Sequence, residues 1–580
     1  MKGTDYIVRF LIKHESVSHV FTYAGGTNAW LLDAVHSTDG IALVPMRHEQ
    51  NAALAADGYA RASGRLGVAL AMSGPGATNF VTGIADTFFD SVPVLFLTCQ
   101  VTTSTYKFDR PVRQLGYQET DIVSIVKSIT KSASMAVTEA EMVDMLRKSI
   151  SLAKSNRPGG VLLDLPCDIQ RRDVPDEELS SGPVTESNIE ANDTEVKAAL
   201  ELISNASRPL ILAGGGVRTS STQDLLVQFA ERLQIPVVVS LMGKDAFPHD
   251  HPLFVSFIGS YGNRYGNLTL ANCDLVIAVG SRMDSRQTAN PKTFARAAKK
   301  IHVDIDRNEL NNTVKSDVAI HAHLRSFFEK VLLIAESQPV GRYGSWLQYI
   351  TDVKAEFAID YIGSTENVNP KAFLRKLSDL AKGSEIFLPD VGNHQMWAAQ
   401  ELMIRAGQRF LTSGGLGTMG FALPAGIGAY YASPDRPIIA IVGDGGFQMS
   451  IPELHTIKLN RIPIKMIVFN NGVLGLMWHF QSENFAGKGH PATEEGYGCP
   501  DVQKIASAYG LPSRRVEDDS HVEKNIEWLL SIEGPALLEV VVDPSWAAYP
   551  KVKPGNPLEG QLPDVDKERI ARFMLIPPVA

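Results

Sequence analysis

The chain of 580 residues carries a formal net charge of −9, with 44% hydrophobic and 21% charged residues. That length exceeds what one hydrophobic core can organise and points to about three or four folding units; the composition excludes extended disorder. Charges of both signs are interspersed without a basic block, so small molecules are the expected partners, and nucleic acid and anionic membrane surfaces are not.

The N-terminal stretch is charged at Asp5, Arg9, Lys13 and Glu15, which predicts no apolar leader core, and no later run is long and apolar enough to predict a membrane span. Cys99, Cys167, Cys273 and Cys499 are scattered without a CxxC pair. Reduced thiols, no zinc site and a cytoplasmic location are the expectations.

In chain order, a short strand at Ile41–Val44 runs into an alanine-rich helix that opens near Glu49. Val68–Thr98 then reads as a βαβ unit: an apolar run, a glycine turn, a helical stretch, and a Val-Pro pair opening a second apolar run. The layout returns from Leu210–Gly216 to Ile235–Leu241, and again from Ile438–Gly446 to Ile462–Phe469. Continuous apolar strands of this kind are buried on both faces, so the fold class is α/β, with three doubly wound parallel-sheet domains. Gly76 to Pro93 and Gly446 to Pro463 both span 17 positions, which suggests two related domains flanking a third. Polar stretches at Asp173–Glu195 and near Ser337–Asn369 set the boundaries at 1–172, 190–336 and 370–548. The Pro/Gly-rich tail, 549–580, is expected to wrap a surface or form a lid and to contribute no core element.

The third unit carries the most chemistry. Its strand ends in Gly443-Asp444-Gly445-Gly446, directly before a helical segment. Glycines there admit phosphate oxygens to the backbone amides, and the helix N-terminus favours their charge. Lys and Arg are scarce nearby, but Asp444 offers a hard carboxylate. Asn471 follows 27 residues later, one helix and one strand on, so neighbouring parallel strands bring both to one sheet edge. With the Val473 carbonyl, this oxygen set suits magnesium shared with a diphosphate. Either motif alone is as well explained by a tight turn; the joint spacing favours the metal.

With that spacing the sequence resembles the thiamine diphosphate enzymes, whose diphosphate motif opens with GDG and closes with NN. The resemblance implies a pyrimidine-binding domain first and a diphosphate-binding domain last. It makes Glu49, in the string RHEQ, the carboxyl that activates the cofactor, a role best filled when desolvation keeps it partly protonated. By itself a glutamate opening a helix is more simply a favourable end charge. The resemblance also implies a site built between subunits, hence a homodimer or homotetramer.

The similarity is greatest to the acetohydroxyacid (acetolactate) synthase family. It rests on FTYAGGT (Phe21–Thr27), SGPGATN (Ser73–Asn79), LGYQET (Leu115–Thr120), RPGGVLLDLPCDIQ (Arg157–Gln170), VGNHQMWAAQ (Val391–Gln400) and SGGLGTMGFALPAGIGA (Ser413–Ala429). It implies catalytic roles for Gly26 and Gln118 beside Glu49, and cofactor contacts from Ser73, Asn79, Asn393, His394, Gly443, Gly445, Gly446 and Leu474. Gly417 would accept a hydrogen bond from the pyrimidine amino group, and Met419 would wedge between the cofactor rings. The middle unit resembles that family's FAD domain, which implies Gly214, Gly215, Gly216, Met242, Arg282, Asp284, Arg286, Asp304 and Asp306 as FAD contacts; a purely structural domain is the alternative. A nicotinamide dehydrogenase is disfavoured because Gly214–Gly216 is followed by Val-Arg-Thr, without a full GxGxxG turn.

Departures fall on the substrate side. Phe480 stands where the family has a tryptophan, Leu474 and Leu476 replace a glutamine and a methionine, Ala24 replaces a proline, and Tyr117 replaces a phenylalanine. Ala24, Gly25, Tyr117, Lys131, Leu476 and Phe480 are the expected substrate pocket. The expected reaction is thiamine diphosphate- and magnesium-dependent transfer of a two-carbon unit from a 2-keto acid, pyruvate by resemblance, to a carbonyl acceptor. Hydrolytic cleavage of a cyclic diketone and sulfoacetaldehyde acetyltransfer are the alternatives.

Overall fold

A computed structural model describes residues 1–183, 189–335, 343–358, 366–485, 487, 490–494, 496–577 and 579. The expected inter-domain stretches fall partly outside these residues, at 184–188, 336–342 and 359–365.

Three sheets of six parallel strands form the frame. The first contains β1 (His19–Thr22), β2 (Ala42–Pro45), β3 (Gly67–Met72), β4 (Val94–Gln100), β5 (Ser132–Met135) and β6 (Val161–Pro166). The second holds β7 (Pro209–Ala213), β8 (Val237–Val239), β9 (Phe254–Phe257), β10 (Leu275–Val279), β11 (Lys299–Asp304) and β12 (Val318–His321). The third holds β13 (Ile386–Pro389), β14 (Arg409–Phe410), β15 (Ile438–Gly443), β16 (Lys465–Asn470), β17 (Ser513–Val516) and β18 (Ala536–Val541). Every residue of β4, β6, β7, β10 and β15 is buried, as expected of strands covered by helices on both faces.

The outer sheets share one strand order, β2-β1-β3-β4-β6-β5 and β14-β13-β15-β16-β18-β17. The middle sheet runs β12-β11-β10-β7-β8-β9, the doubly wound order of dinucleotide-binding folds, with its crevice between β7 and β10. The equal glycine-to-proline spacing thus corresponds to a shared topology, and the middle unit is the odd one.

The first and third units meet through α1 (Glu49–Ser63) and α2 (Ala422–Ala432). A Cβ on Gly58 would sit 2.1 Å from the Ala425 carbonyl oxygen, and one on Gly428 1.8 Å from that of Ala55. Only bare backbone fits this crossing. Beside it Arg61, its side chain 8% exposed, bonds Asp57 and Asp90 across the first unit and donates to the Thr412 carbonyl of the third.

Two expectations are corrected. The stretch near Ser337–Asn369 contains a helix, Gly344–Glu356, that buries Trp346, Ile350 and Val353. Their spacing puts them on one face, and the Trp346 indole donates to the Pro209 carbonyl at the start of β7. The middle unit therefore extends beyond residue 336. The tail does contribute to a core: Val565, Ile570, Phe573 and Met574 pack against Leu268, Val353 and Phe357. Buried Arg264 donates to the Gln561 and Pro563 carbonyls. Composition hid this because the tail's apolar residues are sparse and bury themselves on another unit. Among the described residues no helix is long and apolar enough to cross a membrane.

Candidate functional site

The third unit's site forms where β15 and β16 end side by side. Gly443 pairs with Phe469, so Asp444 and Asn471 both project just beyond the same edge. α3 (Asp444–Ser450) begins at Asp444 itself, with Gly445 and Gly446 in its first turn. Asp444 accepts the Gly445 amide on one oxygen and the Gly472 amide on the other, both at 2.9 Å. One carboxylate thus ties the two turns together. Burial pushes its pKa up to about 6, since desolvation disfavours the charged carboxylate. Val473 is buried, and its amide lies 3.4 Å from the Asn471 side-chain oxygen. The site has one carboxylate, one amide and one carbonyl; among the described residues no group of three or more His, Cys, Asp and Glu could hold a metal. That donor set fits magnesium shared with phosphate oxygens.

His394 buttresses the turn. Its Nε2 accepts the Gly443 amide at 3.1 Å, which requires the neutral ring, and burial lowers its pKa to about 3. Asn393 donates to the Trp546 carbonyl, while its buried side-chain oxygen has no partner among the described residues. Gly417 has φ +76°, a conformation natural to glycine, and its amide donates to Ser413 Oγ. Met419 reaches over the Gly443–Gly446 turn, its Cε 3.2 Å from a Cβ placed on Gly445; Leu474 Cδ2 lies at 2.9 Å.

Asp390, missed in the sequence reading, holds this loop to the sheet. It accepts the amides of Val391, Gly420 and Ala422, and burial raises its pKa to about 6. A lone aspartate ending a strand carries no sequence signature of backbone bonds made 30 and 32 residues away. Tyr497 was also missed. It sits over Gly445 and bonds Gln448 at 3.2 Å.

The first unit presents a second edge. Strand order β2-β1-β3 places Ala24, Gly25 and Gly26 after β1, Glu49 after β2 and Ser73 after β3, on one rim. Glu49 opens α1 and is buried. Asn79 Nδ2 donates to its Oε2 at 2.9 Å. Among the described residues no protein hydrogen bond reaches Oε1, which lies 3.3 Å from a Cβ placed on Gly76. The Ser73 amide donates to Thr27 Oγ1. Gly26 has open space where a side chain would be, while Gln118, with φ +66°, packs its backbone against Gly74. Tyr117 is 85% exposed. Lys131 is placed elsewhere. It precedes β5, at the opposite end of the parallel strands, and its ammonium donates to the Ser155 and Arg157 carbonyls. It therefore does not share the Glu49 rim. Leu476 and Phe480 lie on α4 (Gly475–Asn484), with Phe480 exposed.

In the middle unit a cavity of about 470 Å³ opens at the β7/β10 crevice, within the range of cofactor pockets. Gly215 and Gly216 line it, Gly214 packs on the Gly280 carbonyl, and Met242, Arg282, Asp284, Arg286 and Asp304 complete the wall. Bare glycine backbone beside several guanidinium groups suits a dinucleotide. Asp304 is desolvated, its pKa raised to about 6. Asp306 falls outside the lining; it accepts from Asn308 and Arg157. The cavity's far end reaches Phe89, Gly414 and Gly415, next to the Gly417–Met419 loop.

Comparison with known proteins agrees with this architecture. Residues 1–125 match the thiamine pyrophosphate enzyme N-terminal TPP binding domain, 196–331 the central domain, and 390–540 the C-terminal TPP binding domain. The chain is 36% identical over 571 residues to a probable acetolactate synthase large subunit of Methanocaldococcus jannaschii, covering 96% of this chain and 94% of that one. It is 35% identical over 561 residues to acetolactate synthase isozyme 2 large subunit of Escherichia coli, covering 96% and 98%. Against acetolactate synthase 2, chloroplastic, of Nicotiana tabacum it is 36% identical over 582 residues, covering 97% and 86%. These relatives favour carboligation over the diketone-hydrolase and sulfoacetaldehyde readings. The chain belongs to the acetolactate synthase large-subunit family of thiamine pyrophosphate enzymes, and is a thiamine diphosphate-dependent enzyme that forms carbon–carbon bonds.

Proposed function

We propose that the protein takes a two-carbon unit from a 2-keto acid, pyruvate, and joins it to a second carbonyl compound, with Glu49 as the activating acid and magnesium at Asp444 and Asn471. When bound, thiamine diphosphate supplies a carbon nucleophile and an electron sink for loss of carbon dioxide. Asp444, the Asn471 side-chain oxygen and the Val473 carbonyl would hold the metal against the diphosphate. Gly443–Gly446 would present amides to its oxygens. The Gly417 carbonyl and Met419 would orient the ring end. Glu49 would hold and return a proton at the pyrimidine nitrogen, through the oxygen that Asn79 leaves free. Ala24, Gly25, Gly26, Gln118, Leu476 and Phe480 would surround the reacting carbons and exclude water.

The observation that carries this reading is the Glu49 carboxyl, buried, oriented by Asn79 on one oxygen and open on the other. Glu49→Gln should lower turnover by roughly 10²–10⁴-fold, the usual worth of a positioned acid–base group, while calorimetry shows thiamine diphosphate and magnesium still bound. Undiminished turnover of pyruvate in that variant would remove Glu49 from the mechanism.

The middle cavity is proposed to take FAD, supported by its strand order, glycine turns and arginines. Asp306 is proposed only as a support, through Arg157. The assembly is proposed to be at least a homodimer, with Glu49 of one chain facing Asp444 of another. This is supported by apolar side chains exposed around both rims, among them Tyr23, Trp30, Tyr117, Met449 and Phe480. Clusters of this kind mark interaction surfaces. A cytoplasmic location is supported by four cysteines with no disulfide among them.

A further inference from the structure

The loop from Ser413 to Met419 follows β14 of the third unit and carries Gly417, yet it is fastened to the first unit. Ser413 Oγ accepts the amides of Gly417 at 3.1 Å and Thr418 at 2.9 Å, and donates its own proton to Asp86 Oδ1. Thr418 Oγ1 donates to the same carboxyl oxygen at 2.7 Å. Asp86 lies on the helix Val81–Phe89, which Asp90 caps. Asp90 accepts the Gly414 and Gly415 amides at 3.0 and 2.6 Å. Two carboxyls four residues apart share a helix face, and here they hold both ends of the loop.

Peptide planarity turns this hold into an aim. The Gly417 carbonyl and the Thr418 amide belong to one trans peptide and point in opposite directions. With the Thr418 amide fixed on Ser413 Oγ, the Gly417 carbonyl must face away from Ser413. The φ of +76° at Gly417, open to glycine, lets both amides converge on that one oxygen.

Asp86 is costly where it stands. It is fully buried, and its ion pair is with Arg61, 3.6 Å from Oδ2, a guanidinium that Asp57 and Asp90 share. Oδ2 has no hydrogen-bond partner among the described residues. Burial first, then the carboxylates of Asp90 and Asp57, hold its pKa well above the ordinary carboxylate value. A side chain that merely filled this space would be apolar. What Asp86 supplies instead is one acceptor oxygen, and both hydrogen bonds to it come from the loop.

We infer that Asp86, through Ser413 and Thr418, is a positioning residue for the Gly417 carbonyl, so that the first unit sets how the third grips the ring end of the cofactor. This rests on the reading of Gly417 and Met419 as the ring contacts.

The test uses the full-length protein with magnesium and two probes, thiamine diphosphate and inorganic diphosphate, which has no ring. Calorimetry measures the first affinity, and displacement of the first probe measures the second. Asp86→Ala should weaken thiamine diphosphate binding roughly 10-fold, the usual worth of a buried hydrogen bond left unpartnered, and leave inorganic diphosphate as in wild type. Ser413→Ala, which removes the oxygen that both amides share, should do the same. Asp86→Asn keeps an acceptor oxygen and should recover most of the loss. Thermal melting beforehand confirms that each variant folds. Wild-type thiamine diphosphate affinity in a folded Asp86→Ala, or an equal loss for both probes, overturns the inference; should that variant fail to fold, the same results in Ser413→Ala overturn it. Met419→Ala separates the two levels: if it binds thiamine diphosphate as wild type does, the ring-end reading itself fails. Loss in Met419→Ala with none in Asp86→Ala sinks only the link through Asp86.

Discussion

His302 lies beneath the middle cavity, buried, its Nε2 donating to the Ser281 carbonyl at 2.9 Å while Nδ1 has no partner among the described residues. Desolvation lowers its pKa to about 4. A histidine depressed below its unfolded value contributes stability that is intact above pH about 6.5 and is lost as pH falls toward the folded value, because the unfolded chain takes up the proton first. The window is therefore pH 6.5 down to 4, with an order-of-magnitude cost of about 3 kcal/mol by its lower end. Replacing the ring in His302→Gln should flatten the fall of the thermal midpoint between pH 7 and 5 relative to wild type; parallel curves would show that the ring is not the group titrating.

At the scale of elements, the crossing of α1 and α2 decides how the first and third units are set against each other. Gly58 and Gly428 let two helix backbones touch where any side chain would overlap a carbonyl oxygen. Gly428→Ala must push the helices apart, and overpacking of a buried contact costs typically 1–3 kcal/mol. Urea denaturation should show that loss. Because α1 begins at Glu49 and α2 follows the Gly417–Met419 loop within three residues, thiamine diphosphate affinity should fall as well. Unchanged stability and affinity would mean the crossing has slack. The α1 pattern was legible in sequence as alanine-rich, but the partner of its small-residue face was not, since that partner lies more than 350 positions away.

For the whole molecule, each chain has one Glu49 rim and one Asp444 turn, and the proposed dimer assembles each site from two chains. Mixing inactive Glu49→Gln with inactive Asp444→Ala, under conditions that exchange subunits, should restore activity, since some mixed dimers gain one site with both residues intact. No recovery after verified exchange would place both residues of a site in one chain. The middle unit enters the same logic. Its cavity extends from the β7/β10 crevice to Gly414 and Gly415, so a bound dinucleotide would press on the loop that presents Gly417.

Sequence alone determined the local chemistry here: the glycine turns, the Asp444–Asn471 spacing, the three βαβ patterns and the kinship of the outer units. These depend on periodicity and on neighbours within one supersecondary unit, and such short-range constraints leave a trace in the order of residues. It also read the tail as a bare wrapping, ended the middle unit too early and placed Lys131 in the substrate pocket. The tertiary structure decided those, because each turns on contacts across long separations: Arg264 with the tail, Trp346 with the start of β7, Lys131 with the carbonyls beyond Ala153. Tyr497 and Asp390 belong to the same class. A side chain that serves by settling over a distant glycine turn, or by gathering distant amides, carries no local pattern, and only the folded chain shows what it faces.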